Sequence, residues 1–190
     1  MPRLRGIRAL AAAWVAAGSG TALAQAVDPQ WLVERPSHRA LARVRAEGAA
    51  PAPFETDGCS GGLSSVWRVA ASRLPDFGEA FGAHPPWEAC CVAHDRLYHL
   101  GGDDPEPEAS YAARLEADQA LEVCVRATGE AAAALEEEGA AQVRLGYEAV
   151  ARAMFVAVRF GGAPCSGLPW RWGFGHAGCA AGPEDLLGDP

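Results

Sequence analysis

The chain has 190 residues, with 24 acidic side chains against 16 basic ones, and every basic one is an arginine; the formal net charge is −8. An acidic balance of this kind argues against nucleic acid as a partner and against tight binding to strongly anionic membranes. The length suits one domain with a hydrophobic core and a small appendage.

Residues 1–24, MPRLRGIRALAAAWVAAGSGTALA, read as a secretory signal peptide. Arg3, Arg5 and Arg8 form a basic start, an Ala-rich apolar stretch follows, and Ala22-Leu23-Ala24 forms a small-x-small cleavage site. Cleavage there removes three arginines and no acid, taking the charge from −8 to −11. No later stretch is apolar for long enough to predict a membrane span. The expected location is secreted or periplasmic, where the six cysteines form disulfides by default. Their number alone leaves many pairings open.

Residues 25–53 show scattered prolines and arginines with little periodicity, and read as an extended or partly helical N-terminal arm without assignable chemistry. FETDGCSGG, residues 54–62, is turn-rich and reads as a loop. From Leu63 to Leu74 the apolar residues Val66, Trp67, Ala70 and Leu74 fall near helical spacing, and Pro75 stops the pattern. Pro85-Pro86-Trp87-Glu88 opens the next helix, which runs to about His99 and ends near Gly101-Gly102. A second strong helix is predicted over Glu108–Thr128, burying Leu115, Leu121 and Val125 on the face that carries Asp118. A third helical region covers about Glu130–Arg159, interrupted or eased at Gly139 and Gly146, and an aromatic Gly-rich tail follows. The fold class is therefore mainly α, with additional helices around two that carry the chemistry.

Those two contain CCVAHDRLY, residues 90–98, and Asp118 six residues before Cys124. Cys90, His94 and Tyr98 share one helix face, and Cys91 and Asp95 the neighbouring one. If the helices pack antiparallel, Cys90 can meet Cys124 while His94 lies near Asp118; the two axial offsets differ by only about 3 Å.

A CCxxHD…Y motif on one helix and a D-x5-C motif on an antiparallel partner resemble the secreted phospholipase A2 superfamily, and Asp57-Gly58-Cys59-Ser60-Gly61-Gly62 is similar to its Gly-rich calcium loop. The resemblance covers roughly residues 54–126; Leu97 stands where many members carry a further cysteine. It implies two antiparallel, disulfide-linked helices bearing the active site, with a Cys90–Cys124 bridge and a Cys59–Cys91 bridge. His94 is implied as the base that activates a water, Asp118 as its orienting carboxylate, and Tyr98 as a hydrogen-bond donor toward Asp118. Tyr111 is a candidate second tyrosine of that kind. Asp95 and the carbonyls of Gly58, Ser60 and Gly62 are the implied ligands of Ca2+, a hard cation that takes carboxylate and carbonyl oxygens. Cys165 and Cys179 then pair as a staple of the tail. The implied organisation is a signal at 1–24, an arm at 25–53, a catalytic domain at 54–160 and a disulfide-stapled tail at 161–190. The implied activity is calcium-dependent hydrolysis of the sn-2 ester of glycerophospholipids by a monomer, with substrate met at a membrane or micelle interface.

Three rival readings stand beside it. Gly58-Cys59-Ser60-Gly61-Gly62 also matches G-x-S-x-G, a nucleophile elbow that needs a preceding strand. Cys90, Cys91 and His94 suggest a zinc site, which requires free thiolates. A non-catalytic lipid- or protein-binding module on the same scaffold is the alternative to the enzyme. Trp170, Trp172 and Phe174 form either an interfacial aromatic patch or buried packing.

Overall fold

The computed structural model describes residues 28–48, 50–59 and 63–186. The signal-peptide segment and the loop positions Ser60 and Gly62 lie outside these described residues. The fold is mainly α, with no strand among the described residues. The helices are α1 (Pro29–Ala46), α2 (Leu63–Arg73), α3 (Pro75–Phe81), α4 (Glu88–Leu100), α5 (Pro107–Ala133), α6 (Ala140–Gly161) and the short α7 (Pro183–Leu186).

Of the two readings of the N-terminal arm, the partly helical one holds, with α1 over Pro29–Ala46 and non-helical chain at 50–53. Asp28 caps α1 by accepting from the Gln30 N–H at 2.9 Å, and Pro29 starts the helix where a missing N–H costs nothing. Weak apolar periodicity hid this helix because its inward face is partly ionic: Glu34 and His38 are buried with Leu41.

The 27-residue α5 is the organising element and spans roughly 40 Å. It packs against α1, α4 and α6. Its buried stripe runs Ser110, Arg114, Ala117, Asp118, Leu121, Val125, Gly129 and Ala133, so Arg114 occupies an inward position and Leu115 is only half-buried. At Gly129 a Cβ would fall 2.4 Å from Tyr147 Cβ, so the absent side chain lets α6 approach. Gly139 is the boundary that precedes α6, whereas Gly146 lies inside that helix without breaking it. Pro75 ends the α2 pattern but also opens α3, because proline is suited to a first helical turn.

α4 stops at Gly101, whose φ of 75° is left-handed and whose Cβ would meet Gly173 and Leu41 at 3.0 Å. The tail then satisfies the carbonyls at the end of α4: Gly173 N–H donates to Tyr98 O at 2.6 Å and Gly175 N–H to His99 O at 3.0 Å. Trp172 is buried, donating from its indole to Ser110 Oγ at 3.0 Å, and Phe174 rests half-buried on His99. Packing is thus the reading that holds for Trp172, because its N–H finds a partner inside.

Disulfides join Cys59 to Cys91, Cys90 to Cys124 and Cys165 to Cys179, with Cα separations of 4.9, 5.7 and 4.9 Å. No cysteine remains free, which removes the thiolates a zinc site at Cys90 and Cys91 would need. No described helix is long and apolar enough to cross a membrane.

Candidate active site

Residues four apart share a helix face, so α4 presents His94 with Tyr98 and α5 presents Arg114 with Asp118. His94 Nε2 lies 2.9 Å from Asp118 Oδ1, and the Tyr98 hydroxyl donates to the same oxygen at 2.6 Å. Arg159, on α6, donates from Nη1 to Asp118 Oδ2 at 2.9 Å. Asp118 is wholly buried, so these groups replace its water shell. With Tyr98 and Arg159 both donating to it, the carboxylate serves as acceptor. That places the imidazole proton on Nε2 and leaves the Nδ1 lone pair available.

Burial opposes a charged His94, but the hydrogen bond and charge of Asp118, supported by Asp95, outweigh it and hold its pKa above the ordinary value. Burial, with the Asp118 charge adding to it, pushes the Tyr98 hydroxyl well above its usual range despite the opposing Arg114 charge, so Tyr98 remains a donor. His94 and Tyr98 stack with ring centroids 4.0 Å apart.

A further ionic layer lies beneath. Arg114 is fully buried and donates from Nε to the Tyr98 hydroxyl at 3.2 Å and from Nη2 to the carbonyls of Val158 and Arg159 at 2.7 and 2.8 Å. Its Nη1 pairs with Glu34 of α1. Burial would raise the Glu34 pKa, yet the nearby His38 ring and the hydrogen bond and charge of Arg114 bring it to about 2. His38 Nδ1 meets Ser110 Oγ at 3.0 Å, while its Nε2 lies 3.6 Å from Glu34, an ion-pair distance too long for a hydrogen bond.

Tyr111 does not join Tyr98 on Asp118. Two helical turns, about 10 Å of rise, separate the two positions on α5, and the Tyr111 hydroxyl bonds Asp28 Oδ2 instead. Burial and that bond push its pKa up to about 12, and Arg159 lies over its ring at 5.3 Å. The residue that holds the second oxygen of Asp118 is Arg159, which sequence reasoning missed. The available signal was a lone arginine in the apolar run from Met154 to Phe160. Arg114, one turn before Asp118, carried a similar signal.

Asp95 is buried beside His94, with Oδ1 4.0 Å from His94 Nδ1 and Oδ2 accepting from the Thr56 hydroxyl at 2.7 Å. That hydroxyl lies 3.4 Å from the Gly58 carbonyl oxygen and accepts from the Gly58 N–H at 3.1 Å. Gly58 has φ of 92°, and a Cβ there would collide with Glu88 at 2.1 Å, so the loop requires glycine. Cys59 N–H donates to Ser64 Oγ at 2.8 Å, tying the loop to the start of α2. Among the described residues no group of three or more His, Cys, Asp or Glu gathers to hold a metal. A carboxylate and a backbone carbonyl around one hydroxyl are nonetheless hard oxygen donors, which fit Ca2+ rather than a thiophilic ion.

A cavity of about 300 Å³ opens onto His94 and Asp95, with walls including Leu63, Leu121, Met154 and Trp170. A base paired to a carboxylate at the end of an apolar cavity can deprotonate a water against a substrate with a hydrophobic arm. Compared with protein-family models, curated proteins and solved structures, the chain matches none of them.

Proposed function

We propose that the chain is a secreted or periplasmic, calcium-dependent carboxylic ester hydrolase of the phospholipase A2 type, cleaving the sn-2 ester of glycerophospholipids to fatty acid and lysophospholipid. The observation that carries this reading is the convergence of His94 Nε2 and the Tyr98 hydroxyl on Asp118 Oδ1, beside an apolar cavity. Pairings between Cys90 and Cys124, His94 and Asp118, and Gly101 and Ser110 run in opposite order along α4 and α5. That order supports the antiparallel, disulfide-linked helix pair that the resemblance implies.

In this reading His94 Nδ1 takes a proton from a water whose oxygen attacks the ester carbonyl. Asp118 holds the ring and supports the imidazolium; the proton then passes to the departing glycerol oxygen. Tyr98 and Arg159 fix the Asp118 carboxylate from two sides, so the ring it carries cannot rotate freely. Asp95 with the Gly58, Ser60 and Gly62 carbonyls would hold Ca2+, which when bound would supply Lewis-acid polarisation of the ester and stabilisation of the charge that develops. The apolar walls accept an acyl chain.

The test is fatty-acid release from phospholipid vesicles of several headgroups, with calcium or with a chelator. Calcium-dependent release is expected, falling by about 10²–10⁴ in His94→Ala; no calcium-dependent release from any headgroup would sink the proposal.

A further inference from the structure

A second, larger cavity of about 540 Å³ opens among α2, α3, α5 and α6, and shares no lining residue with the one at His94. Its walls are aromatic. Trp87 is buried and meets Trp67 at 5.6 Å and 77° and Tyr147 at 5.6 Å and 86°. Phe81 of α3, more than half exposed, stands 6.3 Å from Trp67 at 79°. Rings set near right angles around one space offer π-faces from several directions.

The charges in the lining have one sign. Glu136 contributes a carboxylate from the exposed segment between α5 and α6, with no ion pair or side-chain hydrogen bond among the described residues, and no arginine or histidine lines the cavity. A carboxylate or phosphate would meet both Glu136 and the negative ring faces. An uncharged acyl chain would draw nothing from the Glu136 charge at the rim. A soft, weakly hydrated cation satisfies both features, because ring quadrupoles attract it electrostatically and its methyl groups tolerate an apolar wall.

We propose that this cavity binds a quaternary methylammonium group, of the choline class. The site is separate from the His94 cavity and does not depend on catalysis there.

The probe is choline chloride, titrated into the whole chain at constant ionic strength and followed by calorimetry and by tryptophan fluorescence, since two tryptophans line the site. Saturable binding is expected. The neutral isostere, with tert-butyl in place of trimethylammonium, should bind at least about tenfold more weakly. Trp67→Leu removes one wall and should weaken choline roughly two- to thirtyfold. Glu136→Gln, at an exposed position, weakens it without risk to the core and decides the matter should Trp67→Leu fail to fold by circular dichroism. His94→Ala should bind choline as the wild type does. Competition by phosphatidylcholine vesicles, but not phosphatidylglycerol vesicles, would assign the cation to a lipid headgroup; its absence would assign it to the free solute, with the ligand class upheld in both cases. No saturable binding, an isostere as tight as choline, or an unaffected folded Glu136→Gln would overturn the proposal.

Discussion

Arg159→Met tests whether the buried ion pair at Asp118 holds the core together. Arg159 is 5% exposed and Asp118 0%, and the Nη1–Oδ2 distance is 2.9 Å. Methionine keeps the stem of the side chain and removes the guanidinium, leaving Asp118 with two donors and only the more distant Arg114, at 4.0 Å, to answer its charge. Removing one partner of such a pair costs about 3–5 kcal/mol, against a typical total stability of roughly 5–15 kcal/mol. At this chain length that corresponds to a fall in Tm on the order of 10 °C. The control is Arg126→Met, which removes an exposed arginine bonded to Glu122 at 2.8 Å and Glu148 at 2.6 Å. Its side chain is 42% exposed, so solvent screening holds its cost to about 1 kcal/mol or less. Urea unfolding with disulfides intact, followed by circular dichroism, measures both variants. The double variant Arg159→Met/Asp118→Asn should recover part of the loss, since the orphaned charge goes with its partner. Equal midpoints for Arg159→Met and Arg126→Met would refute the reasoning.

Glu34 makes the fold acid-sensitive: with a folded pKa of about 2 against an ordinary 4.5, its stabilisation is complete above about 4.5 and is lost as pH falls toward 2. About 3 kcal/mol is at stake, and Glu34→Gln should flatten that limb of a urea-midpoint profile between roughly pH 3 and 7; an unchanged slope would count against the shift. Replacing Cys90 and Cys124 by serine opens a closure of 34 residues, worth about 4 kcal/mol on the chain-entropy model, against about 3 kcal/mol for the 14-residue closure of Cys165 and Cys179. Thermal melts of the two double variants should keep that order, and a reversed order would contradict it. Asp95→Ala should abolish calcium binding measured by calorimetry, while His94→Ala leaves it; retained binding in Asp95→Ala would remove that residue from the ligand set.

The helices on which the site rests were legible wherever apolar spacing and proline or glycine boundaries agreed, as in α4, which ends at Gly101, and α5. Legibility failed where charge replaced hydrophobicity on an inward face. In α6, Phe160 is 85% exposed and its neighbour Arg159 is 5% exposed, the reverse of what residue type alone predicts. The cause lies on another helix: Asp118 needs a donor for Oδ2, and only a long-range partner shows which face of α6 must turn inward. The same holds for α1, whose Glu34 faces Arg114 across a separation of 80 residues. Periodicity reports burial of apolar surface, so an ionic core face is invisible to it.

The ionic core also links the geometry around His94 to distant parts of the chain. Asp118 on α5 is held by Tyr98 of α4 and Arg159 of α6, Tyr98 is held by Arg114, and Arg114 is paired to Glu34 of α1. Buried charge pairs are a poor source of net stability compared with apolar packing, but each tolerates few geometries. Four helices joined through directional contacts therefore restrict the Asp118 carboxylate more tightly than the same helices joined by leucines would. The adjacent cysteines act on the same problem covalently: neighbouring positions on α4 point about 100° apart, so Cys90 fastens α5 while Cys91 fastens the Gly58 loop. One helix is thereby tied on one side to the carboxylate that orients its histidine, and on the other to the loop that faces its aspartate.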